Sequence, residues 1–179
     1  DNQVLKGEGL KYGTEHFPTE TRVGQPIGGF YLYRTDGIFQ DMNEVNAHVN
    51  SKGALIQPNA QPGDIRFKDL NGDGKISDAD KEYCGSGIPS LEANLNLSAS
   101  YKGFDFSAVI GSAWNYKLYN GNKYFYEGMN SKSNMLKSTL DAWTPQNTNT
   151  NVPRAVYQDP NGNMKESDRF LENGDFVRL

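Results

Sequence analysis

The residues best arranged to do chemistry lie between Asp69 and Asp80, which read Asp-Leu-Asn-Gly-Asp-Gly-Lys-Ile-Ser-Asp-Ala-Asp. Side-chain oxygens at the first, third and fifth positions (Asp69, Asn71, Asp73) can converge on a hard cation. Gly74 at the sixth position permits a sharp turn, and the backbone carbonyl of Lys75 supplies the next oxygen. Ile76 at the eighth is the apolar anchor, Ser77 at the ninth offers a water-mediated contact, and Asp80 closes the loop at the twelfth. The spacing predicts a structural Ca2+ site. Asp80 stands where a longer bidentate Glu is usual, so the expected affinity is weak, with a Kd of about 10⁻⁴ to 10⁻³ M. Two capping helices are not evident on the flanks, so the loop reads as a stiffener rather than a sensor. The bland alternative is an Asn/Asp/Gly turn cluster with no metal.

No other grouping reaches that level. Gly7-x-Gly9 has Tyr12 where a dinucleotide fingerprint needs its third glycine. Gly85-Ser86-Gly87 lacks the outer spacing of a nucleophile elbow, so Ser86 reads as a turn residue. His16 and His48 have no second His or Cys near them in sequence, which leaves no zinc set. Asn96-Leu97-Ser98 matches a glycosylation sequon but lies inside an expected strand. The carboxylates Glu82, Glu92, Glu127 and Asp141 offer no reason to pair any two as a glycosidase would, and as loop charges they read as solvated. The expectation is a protein that is not an enzyme.

Composition narrows the class. The 179 residues carry 18 Lys+Arg against 22 Asp+Glu, a formal charge of −4, which disfavours nucleic acid as a partner. Aromatics at 12% argue against general disorder. No apolar run approaches the roughly 18 residues of a membrane-spanning helix. The single cysteine, Cys84, says nothing about redox compartment.

The elements that would position these residues follow from periodicity. Gly28 to Arg34 reads as an aromatic strand, and Asp36-Gly37 as a turn. Asp41 caps a short helix in which Glu44 completes a capping box and Met42, Val45 and Val49 share a face. Residues 50–63 read as loop and Asp64–Phe67 as a short extended segment leading into the acidic loop. The strongest signal covers 92–102 and 104–114. Leu95, Leu97, Ala99 and Tyr101 alternate with Asn94, Asn96, Ser98 and Ser100. After a tight turn at Lys102-Gly103, Phe104, Phe106, Ala108 and Ile110 alternate with Asp105, Ser107, Val109 and Gly111. Each strand has the length and alternation of a tilted transmembrane β-strand. A hairpin in a soluble sandwich shows the same alternation. The minimal turn on one side and the long stretches 35–91 and 115–169 on the other match the asymmetry of outer-membrane barrels. Within the second stretch, a helix is expected at about 133–143 with Ser133 as cap. The aromatic cluster at 116–126 suits either sugar stacking or a membrane-surface girdle. Residues 170–179 read as a further strand. Because Asp175-Phe176-Val177-Arg178-Leu179 alternates to the last residue, the sequence reads as a piece of something longer.

Several blocks, taken together, resemble SusC/RagA-type TonB-dependent outer-membrane transporters. They are Val23-Gly24-Gln25-Pro26-Ile27-Gly28-Gly29-Phe30-Tyr31, Asp36-Gly37-Ile38-Phe39-Gln40, and Pro62-Gly63-Asp64-Ile65-Arg66-Phe67 running into the acidic loop. Tyr101-Lys102-Gly103-Phe104-Asp105-Phe106-Ser107, Trp143-Thr144-Pro145, Val152-Pro153-Arg154 and Ser167-Asp168-Arg169-Phe170-Leu171-Glu172 continue the series to the end of the sequence. Tyr83-Cys84-Gly85-Ser86-Gly87-Ile88-Pro89 departs modestly from the family pattern.

The resemblance implies an all-β fold, a C-terminal segment of a 22-stranded transmembrane barrel whose long extracellular loops carry short helices, so that residues 1–179 are one partial barrel domain. It further implies the outer membrane of a Gram-negative bacterium, contact with outer-membrane lipid, energy from TonB, a SusD-like surface lipoprotein as lid, and import of oligosaccharides or peptides. Signal peptide, TonB-contacting box, plug and final strand are not among these residues and are expected elsewhere in a longer parent. The rival reading is a secreted soluble glycan-binding module stabilised by calcium.

Overall fold

A computed structural model describes residues 3, 10–12, 18–128 and 134–179. Gly7, Gly9, His16 and Ser133 lie outside the described residues. The described chain is built mainly of strands with short helical turns between them. Its longest elements are two adjacent strands, β7 (Leu91–Tyr101) and β8 (Phe104–Trp114).

The first sheet has the order β1-β2-β3-β6, from β1 (Leu10–Tyr12), β2 (Thr19–Thr21), β3 (Gly29–Tyr33) and β6 (Lys81–Ser86). Between β3 and β6 come β4 (Thr35–Ile38), helix α1 (Met42–Ala47) and β5 (Ile65–Phe67), with β4 and β5 paired antiparallel. Asp41 caps α1 as expected, its carboxylate accepting from the Glu44 amide at 2.9 Å, while Glu44 accepts from the Gln40 amide at 2.8 Å. The Asp41 carboxylate satisfies a donor the first turn leaves free, while Glu44 reaches past the cap to Gln40 rather than closing the expected capping box on the Asp41 amide.

Strands β7 and β8 form an antiparallel hairpin in continuous register from Leu91↔Trp114 to Tyr101↔Phe104. Lys102 and Gly103 both take positive φ, 48° and 83°. This is the two-residue turn whose twist matches that of the flanking strands. β8 also pairs with β11 (Phe176–Arg178), giving the order β11-β8-β7. Residues 115–175 therefore leave β8 and return beside it at the same end, opposite the Lys102-Gly103 turn, and β7 begins at that end too.

The expected outer loops, 35–91 and 115–169, prove to be folded rather than loose. Together with flanking residues they pack into a cap with its own core. Tyr33, Ile38, Ile65, Phe67 and Trp143 form one buried cluster, with Ile76 packed against it, and Phe39, Val45 and Ala60 form another. Tyr31, Leu32 and Tyr33 of β3 point alternately to both faces yet all are buried, so β3 is sandwiched inside the cap.

Two expected elements differ. The strand at 170–179 is instead a 3-10 turn (Asp168–Phe170), β10 (Leu171–Asn173) and β11. β10 pairs with β9 (Lys117–Tyr119) in the cap, and only β11 joins the hairpin. Gly174 and Asp175 break the run: the Gly174 amide bonds to the Tyr116 carbonyl, and a side chain at Gly174 would overlap the Tyr116 ring. The helix expected at 133–143 is a 3-10 turn over Lys137–Asp141. Helix α2 (Gly121–Tyr126), capped by Asn120, precedes it.

Candidate functional site

The hairpin register sorts side chains onto two faces. Directly opposed residues share a face, so Leu91, Ala93, Leu95, Leu97, Ala99 and Tyr101 stand with Trp114, Ser112, Ile110, Ala108, Phe106 and Phe104, and Val177 joins them through its pairing with Ser112. This face carries no charge. The other holds Glu92, Asn94, Asn96, Ser98 and Ser100 with Ala113, Gly111, Val109, Ser107 and Asp105, plus Phe176 and Arg178. On it Ser100 donates to Asp105 at 2.6 Å, and Asn94 and Arg178 lie across Gly111.

Every residue of β7 is exposed on both faces, and Phe104 reaches 81%. A row of exposed Leu and Phe is costly in water and suited to hydrocarbon. The ten steps from Leu91 to Tyr101 span about 34 Å, or about 26 Å of height at a tilt of about 40°, close to the apolar band of an outer-membrane barrel. Tyr101 and Phe104 mark one end of the apolar face and Trp114 the other, where aromatic girdles lie. β7 and β11 each leave an edge unpaired by the described residues, so this is open wall rather than a closed barrel.

At the upper end the wall is tied to the cap. The Ser90 amide donates to the Trp114 carbonyl, Asn115 donates through its side chain to Ser90, and the Asn115 amide donates to Asp175 at 2.6 Å. The Asn173 side chain and the amides of Asn115 and Tyr116, all donating to it, hold the Asp175 carboxyl below its ordinary range.

Inside the cap, the family blocks scattered along the sequence converge. The wholly buried Asp64 carboxylate receives Arg154 Nε at 2.6 Å and Nη2 at 3.1 Å, Asn163 Nδ2 at 2.9 Å and the Gln61 amide at 2.9 Å. The Arg154 amide donates to the Gly63 carbonyl, and the Trp143 indole N–H donates to Gln40 at 3.0 Å. Gly63 has φ +91°, and a side chain there would overlap both the Trp143 ring and Arg154. The buried Gln57 bridges Ile65 and Phe67 with its amide and reaches Asn161. The two excursions are thus locked together across about 100 residues of sequence.

The acidic loop sits on this cap. Asp69 accepts from the Gly72 amide at 2.7 Å and the Gly74 amide at 2.8 Å; Asn71 accepts from the Asp73 amide and Asp73 from the Lys75 amide. Asp80 is fully buried and accepts from the amides of Leu70, Asn71 and Ser77. Ser77 and Asp80 form a capping box on the 3-10 turn Asp78–Asp80. Gly74 has φ +86°, with Asn50 packed where a side chain would be. Ile76 anchors the loop to the cap core. Asp69, Asn71, Asp73 and the Lys75 carbonyl are all oxygen donors of the type a hard cation takes. Among the described residues no three His, Cys, Asp or Glu side chains cluster as a metal site.

Sequence reasoning missed the buried charges. Glu127, read as a solvated loop carboxylate, is buried and pairs with Arg169 and Ser138, and burial lowers the Arg169 pKa against the opposing pull of Glu127. The aromatic cluster is partly packing: Tyr119 stacks on Phe30, and both Tyr119 and Tyr124 meet the buried Phe170. His48 lies edge-on to Phe39, and burial with the nearby Arg66 cation lowers its pKa. Cys84 is half-buried beside Arg34, and burial raises its thiol pKa.

No protein-family model matches the chain. Among curated proteins it is similar to TonB-dependent receptor P3 of Formosa agariphila, at 31% identity over 88% of this chain and 15% of that protein. It is also similar to TonB-dependent receptor P26 of the same organism, at 30% over 90% of this chain and 16% of that protein. A third relative is the TonB-dependent receptor SusC of Bacteroides thetaiotaomicron, at 23% over 99% of this chain and 15% of that protein. The chain spans about one-sixth of the length of the relatives it matches. With those matches and its strand wall, the chain belongs to the TonB-dependent receptors, outer-membrane proteins of Gram-negative bacteria, and is a segment of their β-barrel.

Proposed function

We propose that the whole receptor imports an oligosaccharide or a peptide across the outer membrane, driven through TonB, beneath a SusD-like surface lipoprotein that closes over its mouth. The contribution of this chain is mechanical rather than catalytic: β7, β8 and β11 supply wall, and the cap supplies a firm rim for the lid. The observation that carries this reading is the uncharged outward face, of bilayer height, with both packed excursions at one end of it. A polar face of small side chains would then line the lumen. The test is isolation of the native receptor from outer membranes. A detergent-dependent chain much longer than 179 residues, a co-purifying surface lipoprotein, and uptake abolished by loss of TonB are expected. Extraction without detergent, or uptake indifferent to TonB, would overturn it.

The acidic loop is proposed to hold a structural Ca2+ through Asp69, Asn71, Asp73, the Lys75 carbonyl and Asp80. The ion would supply a fixed positive charge that keeps the loop closed on the cap. The carboxylate-to-amide bonds support this by pre-forming the turn, so that little ordering remains for the ion to impose.

A further inference from the structure

A pocket of about 370 Å³ opens between residues 56–59, Lys75-Ile76 and the 159–165 turn. It is separate from the lumen-facing strand surface. Two lysines line it from different parts of the chain, Lys75 on the acidic loop and Lys165 on the turn. Neither makes a hydrogen bond or ion pair among the described residues. Lys165 instead lies over the rings of Tyr33 and Phe67, at 5.5 and 5.7 Å.

The setting makes this notable. Net charge is −4, and five of the cap's cations, Arg34, Arg66, Lys81, Arg154 and Arg169, are each paired with a carboxylate. The one carboxylate on the pocket wall, Asp159, is engaged by the amides of Asn163 and Met164, both at 2.8 Å. Burial lowers the Lys165 pKa against the opposing pull of Glu166 and Asp159. A half-buried ammonium that meets rings but no hydrogen-bond acceptor among the described residues gains from a charge-assisted contact.

We infer that this pocket binds a small oxyanion, a carboxylate or a sulfate, through the side chains of Lys75 and Lys165. The site uses the Lys75 side chain and not its carbonyl, so it stands whether or not the acidic loop holds a cation, and it does not depend on what the receptor transports. Carboxylate and sulfate share the needed chemistry, and the probes separate them.

The test is titration calorimetry on the full receptor in detergent with sodium glucuronate, sodium sulfate and, as neutral control, glucose. Binding of one or both anions and none of glucose is expected; whichever anion binds identifies the group. Lys165→Met keeps an apolar stem over the two rings, and Lys75→Met changes an exposed side chain that the fold does not need. Each should weaken anion binding by about tenfold or more, while the exposed Lys52→Met leaves it unchanged. No anion binding to the wild type, or Lys75→Met and Lys165→Met variants that both bind like wild type, would overturn the inference.

Discussion

Arg154→Met removes the only cation, among the described residues, that pairs with the wholly buried Asp64 carboxylate. Asp64 accepts four hydrogen bonds, two of them from Arg154 at 2.6 and 3.1 Å. Breaking a buried pair by removing one partner costs about 3–5 kcal/mol. The Arg154 side chain is 25% exposed, so water can reach part of the vacated space, which places the expected loss at about 3 kcal/mol. The loss should be local, because the pair joins the halves of the cap and not the strands of the wall. At about 1.4 kcal/mol per tenfold, the amides of Phe39, Gly63 and Arg154, which bond to Asp64, Phe39 and Gly63 carbonyls, should exchange about a hundredfold faster. Hydrogen exchange on the full receptor in detergent reads this directly, with the β7–β8 ladder as internal reference. The double variant Asp64→Asn/Arg154→Met should recover part of the loss, since the uncompensated charge is gone. Unchanged cap protection in Arg154→Met, or equal loss in cap and ladder, would refute the reasoning.

Three further outcomes are expected. Leu97→Arg on the uncharged face should cost about 2–4 kcal/mol and impair assembly in heat-modifiability gels, whereas Asn96→Arg on the opposite face should assemble normally; equal effects would mean that the faces are assigned wrongly. Asp69→Ala or Asp73→Ala should increase protease cleavage between 64 and 82 in calcium, and identical cleavage with and without chelator in the wild type would end the calcium proposal. His48 is held below its ordinary pKa near 6.5 by burial and by Arg66, so the unfolded cap binds the extra proton first. Its contribution to stability is therefore present above pH of about 6.5 and lost as pH falls below it. Exchange at 39–67, corrected for intrinsic rates, should rise on acidification in the wild type and rise less in His48→Gln.

The sequence by itself determined the local elements. Alternation over 92–114 and the Lys102-Gly103 turn defined the hairpin to within a residue, because period two and paired positive φ are properties of neighbouring residues. The Asp41–Glu44 cap and the turn at Gly74 were legible for the same reason. Only the tertiary structure decided what the long excursions are. Read as loops, they are rich in Gly, Asn and Pro and lack periodicity; folded, they bury Asp64 against Arg154 and Glu127 against Arg169, partners 90 and 42 residues apart. Such pairs leave no periodic trace, since a carboxylate destined for a buried ion pair looks in sequence like any solvated one. The break at Gly174 was hidden likewise, because what ends β10 there is the Tyr116 ring, brought from a distant part of the chain.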